Sequence, residues 1–376
     1  RMKKITTIAI TLLTILILSC KKETNNTTTT TTNNEPPQEM MISAGYTHTV
    51  ILRPDATLWG TGNNVHGQLG DNTIQSKNVF VKILDNVKYV NAGPHQTMII
   101  KKDGSLWATG VNDEGQLGDG TFFWKSSPVK IMEDARFVST GYNHTLIVKN
   151  DNSLWATGAN LHGQFGSAAP PRSYVPVKIM DNVRFAGAGY YYSMILKTDN
   201  TLWATGRNTD GQFGNGTNTS TNIPVKVMDD VKLVSVSVYG VLVVKLDNSL
   251  WVAGPNASGE LGTGTINVTT FTKVMDNVKA VHTGEDHSLI LKDDNSLWGS
   301  GDNSYGQLGD GTGTNQNLFI KLRENVKSLF TAFGNSHSFI VMNDNSIWAA
   351  GYNEFGQLGD GTNNVRKYAF AKVNLP

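Results

Sequence analysis

Short runs of alternating apolar and polar residues, separated by turn-forming residues, fill most of the chain. Residues 87–134 show one complete unit of this pattern, which predicts four short strands: Val87–Ala92, Gln96–Lys101, Ser105–Thr109 and Pro128–Met132. Gly93-Pro94 ends the first strand, and Asp103-Gly104 suits a tight hairpin because both residue types tolerate positive φ. A long glycine-containing loop precedes the fourth strand. The unit therefore predicts four antiparallel strands without a helix.

The unit recurs along the chain, and a tryptophan in its third strand marks each copy. The tryptophans, about 48 residues apart, are Trp59, Trp107, Trp155, Trp203, Trp251, Trp298 and Trp348. Four short strands in each unit are typical of one blade of a β-propeller. We therefore predict that residues 40–376 form an all-β domain, a seven-bladed β-propeller whose blades are four-stranded and antiparallel.

A second signal follows each tryptophan strand, where an asparagine precedes a Gly-Gln-[Leu or Phe]-Gly run. The asparagines are Asn64, Asn112, Asn160, Asn208, Asn256, Asn303 and Asn353. Six units carry the full run, and the fifth unit departs from it at Glu260. Asparagine and glutamine can bond loop amides and carbonyls that the strands leave unpaired. We interpret these residues as scaffold rather than as a site, because they recur in every unit.

Residues 1–19 predict a lipoprotein signal peptide. Their start is basic, and the apolar run Ile5–Leu18 is too short to span a bilayer at about 1.5 Å per residue. The sequence Ile17-Leu18-Ser19-Cys20 resembles a bacterial lipobox, in which the cysteine is lipidated and becomes the mature N-terminus. Cys20 is the sole cysteine in the sequence and is the predicted lipidation site. The alternative is an ordinary signal peptide with a coincidental cysteine.

Residues 20–39 are rich in threonine and asparagine and predict a disordered tether. We expect the chain to be lipid-anchored and extracytoplasmic at a bacterial cell envelope, on the outer membrane or the cell surface. The lipid is the only membrane contact that we predict. The formal net charge is +1, and removal of residues 1–19 with their three cations leaves −2. Such a chain offers no long-range field for nucleic acid, so we predict no nucleic-acid partner.

The Leu-Trp pair, the glycine after it and the Asn-x-x-Gly-Gln-[Leu or Phe]-Gly run resemble the repeat of the regulator of chromosome condensation family. The resemblance spans residues 40–376 and implies a seven-bladed propeller. The eukaryotic namesake is a nucleotide-exchange factor for a small nuclear GTPase, a role that the predicted location argues against here. Secreted bacterial members of the family include inhibitors that cap β-lactamases with one loop face. The resemblance therefore implies a binding protein.

The chain carries no motif for nucleophilic, phosphate-binding or metalloprotease chemistry. Five histidines are placed in one register before the second strand: His48, His95, His144, His287 and His337. A ring of histidines suggests a metal site, and residues 282–287 gather further ligand types. Symmetry-related side chains would lie too far apart to share one ion at about 2 Å, so we favour a hydrogen bond from each imidazole to nearby backbone. We expect no metal, no cofactor and no enzyme activity. The alternative function is a propeller hydrolase or a carbohydrate-binding protein.

Strand direction places the turn after the first strand and the long loop after the third strand on one face. Three departures from the repeat fall on this face: Phe122, Phe123 and Trp124 in the second unit, Arg172 and Tyr174 in the third, and Tyr190 and Tyr191 in the fourth. Tyrosine, tryptophan and arginine are enriched in interface hot spots. We predict a monomer that binds a protein partner through these residues. The alternative is that the aromatic side chains fill gaps between blades, as we expect for Tyr192.

Two or three residues join each fourth strand to the next first strand, as at Met180-Asp181-Asn182-Val183. This length is typical of a hairpin, so we expect these two strands to pair within one blade. The ring would then close by pairing Met40–Ser43 with Ala369–Val373, which would also remove two exposed sheet edges.

Overall fold

A computed structural model describes residues 39–166, 169–334 and 337–375 of the chain, which form 28 β-strands and no helix. Cys20, the predicted signal peptide and nearly all of the predicted tether lie outside the described residues. Within the described ranges, no helix has the length and apolar character needed to cross a membrane.

The strands of blades one to three are β1 Met41–Ala44, β2 His48–Leu52, β3 Leu58–Gly62 and β4 Lys77–Leu84 in the first, β5 Val87–Ala92, β6 Gln96–Lys101, β7 Leu106–Gly110 and β8 Lys125–Met132 in the second, and β9 Ala135–Thr140, β10 His144–Lys149, β11 Leu154–Ala159 and β12 Arg172–Met180 in the third. Blades four and five contain β13 Val183–Ala188, β14 Tyr192–Lys197, β15 Leu202–Gly206 and β16 Thr221–Met228, and then β17 Val231–Val236, β18 Val241–Lys245, β19 Leu250–Gly254 and β20 Val268–Met275. Blades six and seven contain β21 Val278–Thr283, β22 His287–Lys292, β23 Leu297–Gly301 and β24 Gln316–Arg323, and then β25 Val326–Thr331, β26 His337–Met342, β27 Ile347–Gly351 and β28 Lys367–Val373.

Each group of four consecutive strands forms one antiparallel sheet in chain order, from β1-β2-β3-β4 to β25-β26-β27-β28. The described chain is thus a propeller of seven four-stranded blades, which confirms the predicted fold. In the second blade the predicted bounds of the first two strands are those observed. The fourth strand, β8, begins at Lys125, before its predicted start, and contains Pro128. Proline is tolerated there because β8 is an edge strand of its sheet.

The first strand of each blade lies innermost. β1 contacts β5, β5 contacts β9, and the series continues around the ring until β25 contacts β1. The second and third strands of a blade are mostly buried, whereas the fourth strand is largely exposed or half-buried. Each blade therefore extends outward from the central axis, and the ring of innermost strands is closed.

Hydrophobic clusters fill the seams between blades. At the seam between blades seven and one, Phe339 and Val341 pack with Ile42 and Phe80. The ring of Phe80 lies directly over Gly359, which has a φ of +67°, and a Cβ on this glycine would overlap the ring. The last glycine of the Gly-Gln-[Leu or Phe]-Gly run meets a proline or phenylalanine of the next blade at the other seams too. The run is therefore required for neighbouring blades to approach closely.

The repeated asparagines hold the long loops that follow the third strands. Asn112 Oδ1 accepts a hydrogen bond from the N–H of Leu117 at 2.9 Å, and Asn112 Nδ2 donates to Asp119 and to the Thr121 carbonyl. The bond to a buried leucine or phenylalanine five residues further on occurs in all seven blades. These contacts support the interpretation of the asparagines as scaffold.

The predicted closure of the ring is wrong. β1 pairs with β2 in the first sheet and β28 pairs with β27 in the last, so Met40–Ser43 and Ala369–Val373 belong to different blades. The ring closes through the same kind of seam that joins the other blades. At this seam the Phe333 N–H also donates a hydrogen bond to the Ala44 carbonyl at 2.9 Å.

Backbone geometry explains why the short connections are not hairpins. A type I′ hairpin needs positive φ at both central residues. In Asp85-Asn86, between β4 and β5, only Asn86 has positive φ, at 60°. The Val87 N–H donates to the Ala56 carbonyl of the first blade at 3.0 Å, and the Asn86 carbonyl accepts from the Lys102 N–H of the second blade at 2.8 Å. The connection therefore bonds to the blade that it leaves and to the blade that it enters.

We predict that the closing seam contributes as much stability as an internal seam. Phe80→Ala at the closing seam and Phe271→Ala at the seam between blades four and five should each lower the free energy of unfolding by about 3–5 kcal/mol, because each removes a buried ring. Urea unfolding of the two variants measures this. Ile266→Ala, at an 80% exposed side chain, is the control and should leave stability nearly unchanged. A neutral Phe80→Ala beside a costly Phe271→Ala would contradict closure by packing.

Candidate functional site

The long loop of one blade lies beside the turn between the first and second strands of the next blade. The ring of His66, in the loop between β3 and β4, is 5.5 Å from that of His95, in the turn between β5 and β6. The ring of His162, in the loop of the third blade, is 4.4 Å from that of Tyr191, in the turn of the fourth. We call the surface formed by these loops and turns the long-loop face.

The predicted binding residues of blades two and three form one group near the edge of this face, the rim patch: Phe122, Phe123, Trp124, Arg172 and Tyr174. The side chains of Phe122, Phe123 and Trp124 are 53%, 62% and 48% exposed. The Phe122 ring is 4.5 Å from the Phe123 ring and 6.2 Å from the Tyr174 ring. Arg172 is exposed, forms an ion pair with Glu114 and donates to the Tyr174 hydroxyl. Phe122, Phe123 and Trp124 are thus about half exposed or more, whereas the Tyr174 ring packs over Gly115 in the loop of the second blade.

Tyr190 and Tyr191 belong to a second group at the centre of the face, the tyrosine cluster: Tyr46, Tyr142, Tyr190, Tyr191 and Tyr239. Tyr190 lies 4.4 Å from Tyr142, 4.2 Å from Tyr191 and 5.7 Å from Tyr239, measured between ring centroids. Tyr46 of blade one is 6.2 Å from Tyr142 of blade three. Rings from blades that are not neighbours can meet only near the axis, so the cluster lies at the centre.

Two histidines connect the groups. The Trp124 ring stacks edge-on against His66 at 4.4 Å, His66 contacts His95, and His95 lies 5.4 Å from Tyr46. The structure thus joins all three sequence-predicted groups into one aromatic belt from the edge of blade two to the centre of the face. Tyr192, expected to point inward, is fully buried, and its hydroxyl donates to the Gly240 carbonyl at 3.0 Å.

Sequence reasoning missed Tyr46, Tyr142 and Tyr239. Tyr46 and Tyr142 each follow the glycine that comes directly after a first strand, as does Tyr190. Superposing the repeats would have placed these three at one position. Tyr239 lies one residue later in its turn, at the position of Tyr191, so the repeat alone signals it less clearly.

Three carboxyl groups accompany the tyrosine cluster: Glu285 and Asp286, in the turn between β21 and β22, and Glu260, in the loop of the fifth blade. Burial raises the pKa of Glu285 to about 7, and the Asp286 carboxylate adds to the shift. Burial also raises the pKa of Glu260 to about 7, again with Asp286 adding to the effect. The pKa values of Tyr46 and Tyr239 are both raised, mainly by burial and next by the negative charge of Glu285. The Glu285 carboxyl therefore lies close enough to both tyrosine hydroxyls to affect their ionisation.

The structure corrects the register of one predicted histidine. His48, His144, His287 and His337 each begin the second strand of their blade. In blade two the same position is held by Gln96, and His95 lies one residue earlier, in the turn. The repeat period from His48 leads to Gln96, so the spacing alone could have avoided the error.

The four buried histidines bond across seams to hydroxyl groups, not to backbone as expected. His144 Nε2 is 3.1 Å from Ser193 Oγ of the next blade. The Ser193 hydroxyl donates its proton to the Gln164 carbonyl at 2.7 Å, so His144 must donate through Nε2. Equivalent bonds join His48 to Thr97, His287 to Ser338 and His337 to Thr49. Burial lowers the pKa of His144 to about 3, which keeps the imidazole neutral.

No group of three or more histidine, cysteine, aspartate or glutamate side chains in the described part of the chain could hold a metal ion. This includes residues 282–287, which sequence analysis had singled out. The observed role of His48, His144, His287 and His337 is the hydrogen bond that each makes across a seam.

Fold and surface together define a β-propeller with aromatic side chains across one loop face. Models of the regulator of chromosome condensation (RCC1) repeat match residues 42–68, 103–148, 136–164, 183–212, 199–240, 278–307 and 331–357, which is just over half of the chain. The chain belongs to the RCC1 repeat family. A comparison with curated protein sequences returned no match.

Solved structures with the same fold include human WBSCR16, with a TM-score of 0.74 at 20% identity over 85% of this chain and 94% of that chain. Yeast RCC1 (Prp20) bound to Kap60 has a TM-score of 0.70 at 17% identity over 78% of each chain. Prp20p of Saccharomyces cerevisiae, whose structure is described together with its binding to Gsp1p and histones, has a TM-score of 0.70 at 18% identity over 78% of this chain and 80% of that chain. At these identities the likeness concerns the fold.

We predict that His144 makes stability pH-dependent. Its pKa is about 3 in the folded chain and about 6.5 when unfolded, so below pH 6.5 only the unfolded state takes up the proton. Stability is therefore lost as the pH falls from 6.5 towards 3, by about 1.4 kcal/mol per pH unit for this group. His144→Gln, with the residue that blade two carries, should reduce the slope by that amount in urea unfolding between pH 6.5 and 4.5. An unchanged slope would show that folded His144 accepts the proton.

Proposed function

We propose that the chain is a non-catalytic, monomeric protein-binding module that acts through its long-loop face. The aromatic belt carries this proposal. Trp124, Phe122 and Phe123 are about half exposed or more on loops that buried asparagines hold in place. Such large side chains on the surface of a soluble domain mark interaction sites when they are contiguous.

The belt has the chemistry of an interface rather than of a core. Tryptophan, tyrosine and arginine are the residues most enriched in interface hot spots, and all three occur in the belt and its rim patch. Trp124 is also preorganised, since its indole N–H donates to Asp113 at 2.8 Å and its ring rests on His66. A side chain that is already ordered loses less entropy on binding.

Propellers of similar fold support a protein partner. Yeast Prp20 is described in complex with Kap60, and its binding to Gsp1p and histones is also described. We propose a protein partner for this chain on that ground and on the aromatic belt. Nucleotide exchange is not proposed, because the predicted signal peptide would take the chain away from nuclear partners. The near-neutral charge argues against nucleic acid.

The location is a second part of the proposal. A lipid on Cys20 would hold the propeller at a bacterial cell envelope, with the segment from Lys21 to Glu39 as a tether. The order of basic residues, apolar run and Ser19-Cys20 supports this. The long-loop face would then meet envelope or extracellular proteins.

A carbohydrate-acting propeller is the second candidate, favoured by the raised pKa of Glu260 and Glu285. Glycoside hydrolysis uses two carboxyl groups that flank an open sugar site. Glu260 is almost fully buried and its carboxylate accepts the Ser258 N–H at 3.0 Å, so it is not open to a sugar. We therefore favour the binding module. Release of sugars from envelope glycans by the wild type but not by Glu285→Gln would favour the second function.

We predict that Trp124→Ala strongly weakens partner binding and barely changes folding. Loss of a hot-spot tryptophan costs about 2 kcal/mol or more of binding, roughly a 30-fold loss in affinity. Capture from the source organism's envelope extract, quantified against the wild-type chain, measures binding, and thermal unfolding measures stability. Leu246→Ala, at an exposed leucine in the turn between β18 and β19 on the opposite face, is the control and should bind as the wild type does. Binding that survives a large stability loss would show that Trp124 belongs to the core.

We predict that Cys20 is lipidated. Cells expressing the full chain and labelled with a fatty-acid probe should yield a labelled, membrane-bound wild type. Cys20→Ala removes the thiol that would carry the lipid, so this variant should be unlabelled. Equal labelling of the two proteins would rule out the anchor, and it would leave the binding proposal untouched.

A further inference from the structure

We propose that the centre of the long-loop face is a binding site for a cationic side chain, an arginine or a lysine, of the protein partner. The site combines the tyrosine cluster with the carboxylate of Glu285. This inference rests on the proposed function, since it names the chemistry that the partner presents at the middle of the aromatic belt.

The aromatic half of the site comes from four blades. Tyr46, Tyr142, Tyr190 and Tyr239 converge with ring-centroid distances of 4.4 to 6.2 Å along the series. All four side chains are half-buried, so each ring keeps part of its surface accessible. Tyr190 stacks between Tyr142 and Tyr239, with interplanar angles of 34° and 29°, and Tyr46 is tilted by 51° against Tyr142. Aromatic faces carry negative electrostatic potential and attract cations. The cluster is therefore an aromatic platform on whose accessible ring surface a cation can rest.

The acidic half comes from blades five and six. Glu285 is half-buried, and among the described residues its carboxylate has neither a hydrogen-bond donor nor an ion-pair partner. Asp286 and Glu260 add negative charge beside it. Arg207, whose charge acts on Tyr239, forms an ion pair with Asp210 at 3.4 Å, and Arg366 lies over the Tyr305 ring at 4.6 Å. A half-buried carboxylate without a cation is unfavourable, and a ligand cation would relieve this.

Cations at the other end of the axis do not compensate for these acids. The second residue of each first strand from blade two onward is basic: Lys88, Arg136, Arg184, Lys232, Lys279 and Lys327. The two arginines donate to carbonyl groups of the next blade, as when Arg184 Nη2 donates to the Val231 carbonyl at 2.7 Å, and the last three lysines donate to asparagine side chains of their own blades. Lys279 precedes Thr283, the last residue of β21, by four residues, or about 13 Å of strand. The two ends of the axis therefore carry opposite charge.

The site fits an organic cation better than a metal ion. A metal would need several oxygen or nitrogen ligands within about 2–2.6 Å, and the described residues provide no such group. A guanidinium or ammonium group instead uses both halves, with its face or methylene groups on the rings and its N–H groups on Glu285. The position also favours a partner side chain, because hot spots cluster at the centre of an interface.

The test is a titration of the full chain with acetyl-Gly-Arg-Gly-amide and with acetyl-Gly-Gln-Gly-amide, followed by tyrosine NMR signals. The arginine peptide should bind weakly and saturably, and the glutamine peptide should not bind. At pH 8, above the Glu285 pKa of about 7, Glu285→Gln should weaken binding of the arginine peptide by about tenfold or more, since it removes the charge and keeps the shape. Glu324→Gln, at an exposed acid outside the long-loop face, is the matched control and should bind as the wild type does. Tyr142→Leu should weaken binding while Tyr174→Leu should not.

Three results would overturn the inference: equal binding of the two peptides, undiminished binding by folded Glu285→Gln, or binding of tetramethylammonium chloride without binding of the arginine peptide. The last result would assign the site to a small ammonium ligand instead. Thermal unfolding shows whether Glu285→Gln folds, and removal of an unpaired half-buried charge should not lower its stability. If the arginine peptide does not bind while Trp124→Ala still prevents partner capture, the proposed binding function is supported and the proposed cation site is wrong.

Discussion

Every blade covers its apolar sheet faces only with its two neighbours, because the described chain supplies no second layer of helices or sheets. The hydrophobic clusters accordingly draw their members from adjacent blades. Blades one and seven can be covered only if the ring closes. Two-residue connections such as Asp85-Asn86 enforce the order, since each is bonded to the blade before it and to the blade after it. Closure is thus a consequence of seam packing rather than of strand pairing across the chain ends.

The same constraint separates scaffold from surface. The glycines, asparagines and buried histidines that recur are used in seams and loop anchors, and they leave little freedom for variation. Phe122 and Phe123 follow Thr121, whose carbonyl accepts from the buried amide of Asn112. The loop is therefore fixed at its base while the next side chains project into solvent. This arrangement explains why large aromatic residues occur on the long-loop face without disturbing the blades.

Much of the fold could be predicted from sequence because strand alternation and the tryptophan period are local, repeated signals. The way the ring closes could not be predicted from sequence. It depends on the positive φ of Asn86 and on the carbonyl to which the Val87 N–H donates, and loop length determines neither of these. The exposed aromatics of the rim patch were visible as departures from the repeat. The tyrosine cluster was not, because Tyr46 and Tyr142 are far apart in sequence and meet only through the curvature of the ring.

Glu260 shows how one departure from the repeat connects scaffold and surface. Gln116 Oε1 accepts the N–H of the residue two positions before it, and Glu260 Oε2 makes the same bond, so the hydrogen bond survives the change. The amide nitrogen at this position is used differently from blade to blade, since Gln307 Nε2 donates to Asp302 at 2.8 Å whereas Gln68 Nε2 has no hydrogen-bond partner among the described residues. The cost of glutamate there is its charge, beside Asp286 and close to Glu285. The centre of the long-loop face therefore becomes negative as the pH rises through about 7, and a bound cation would balance that charge.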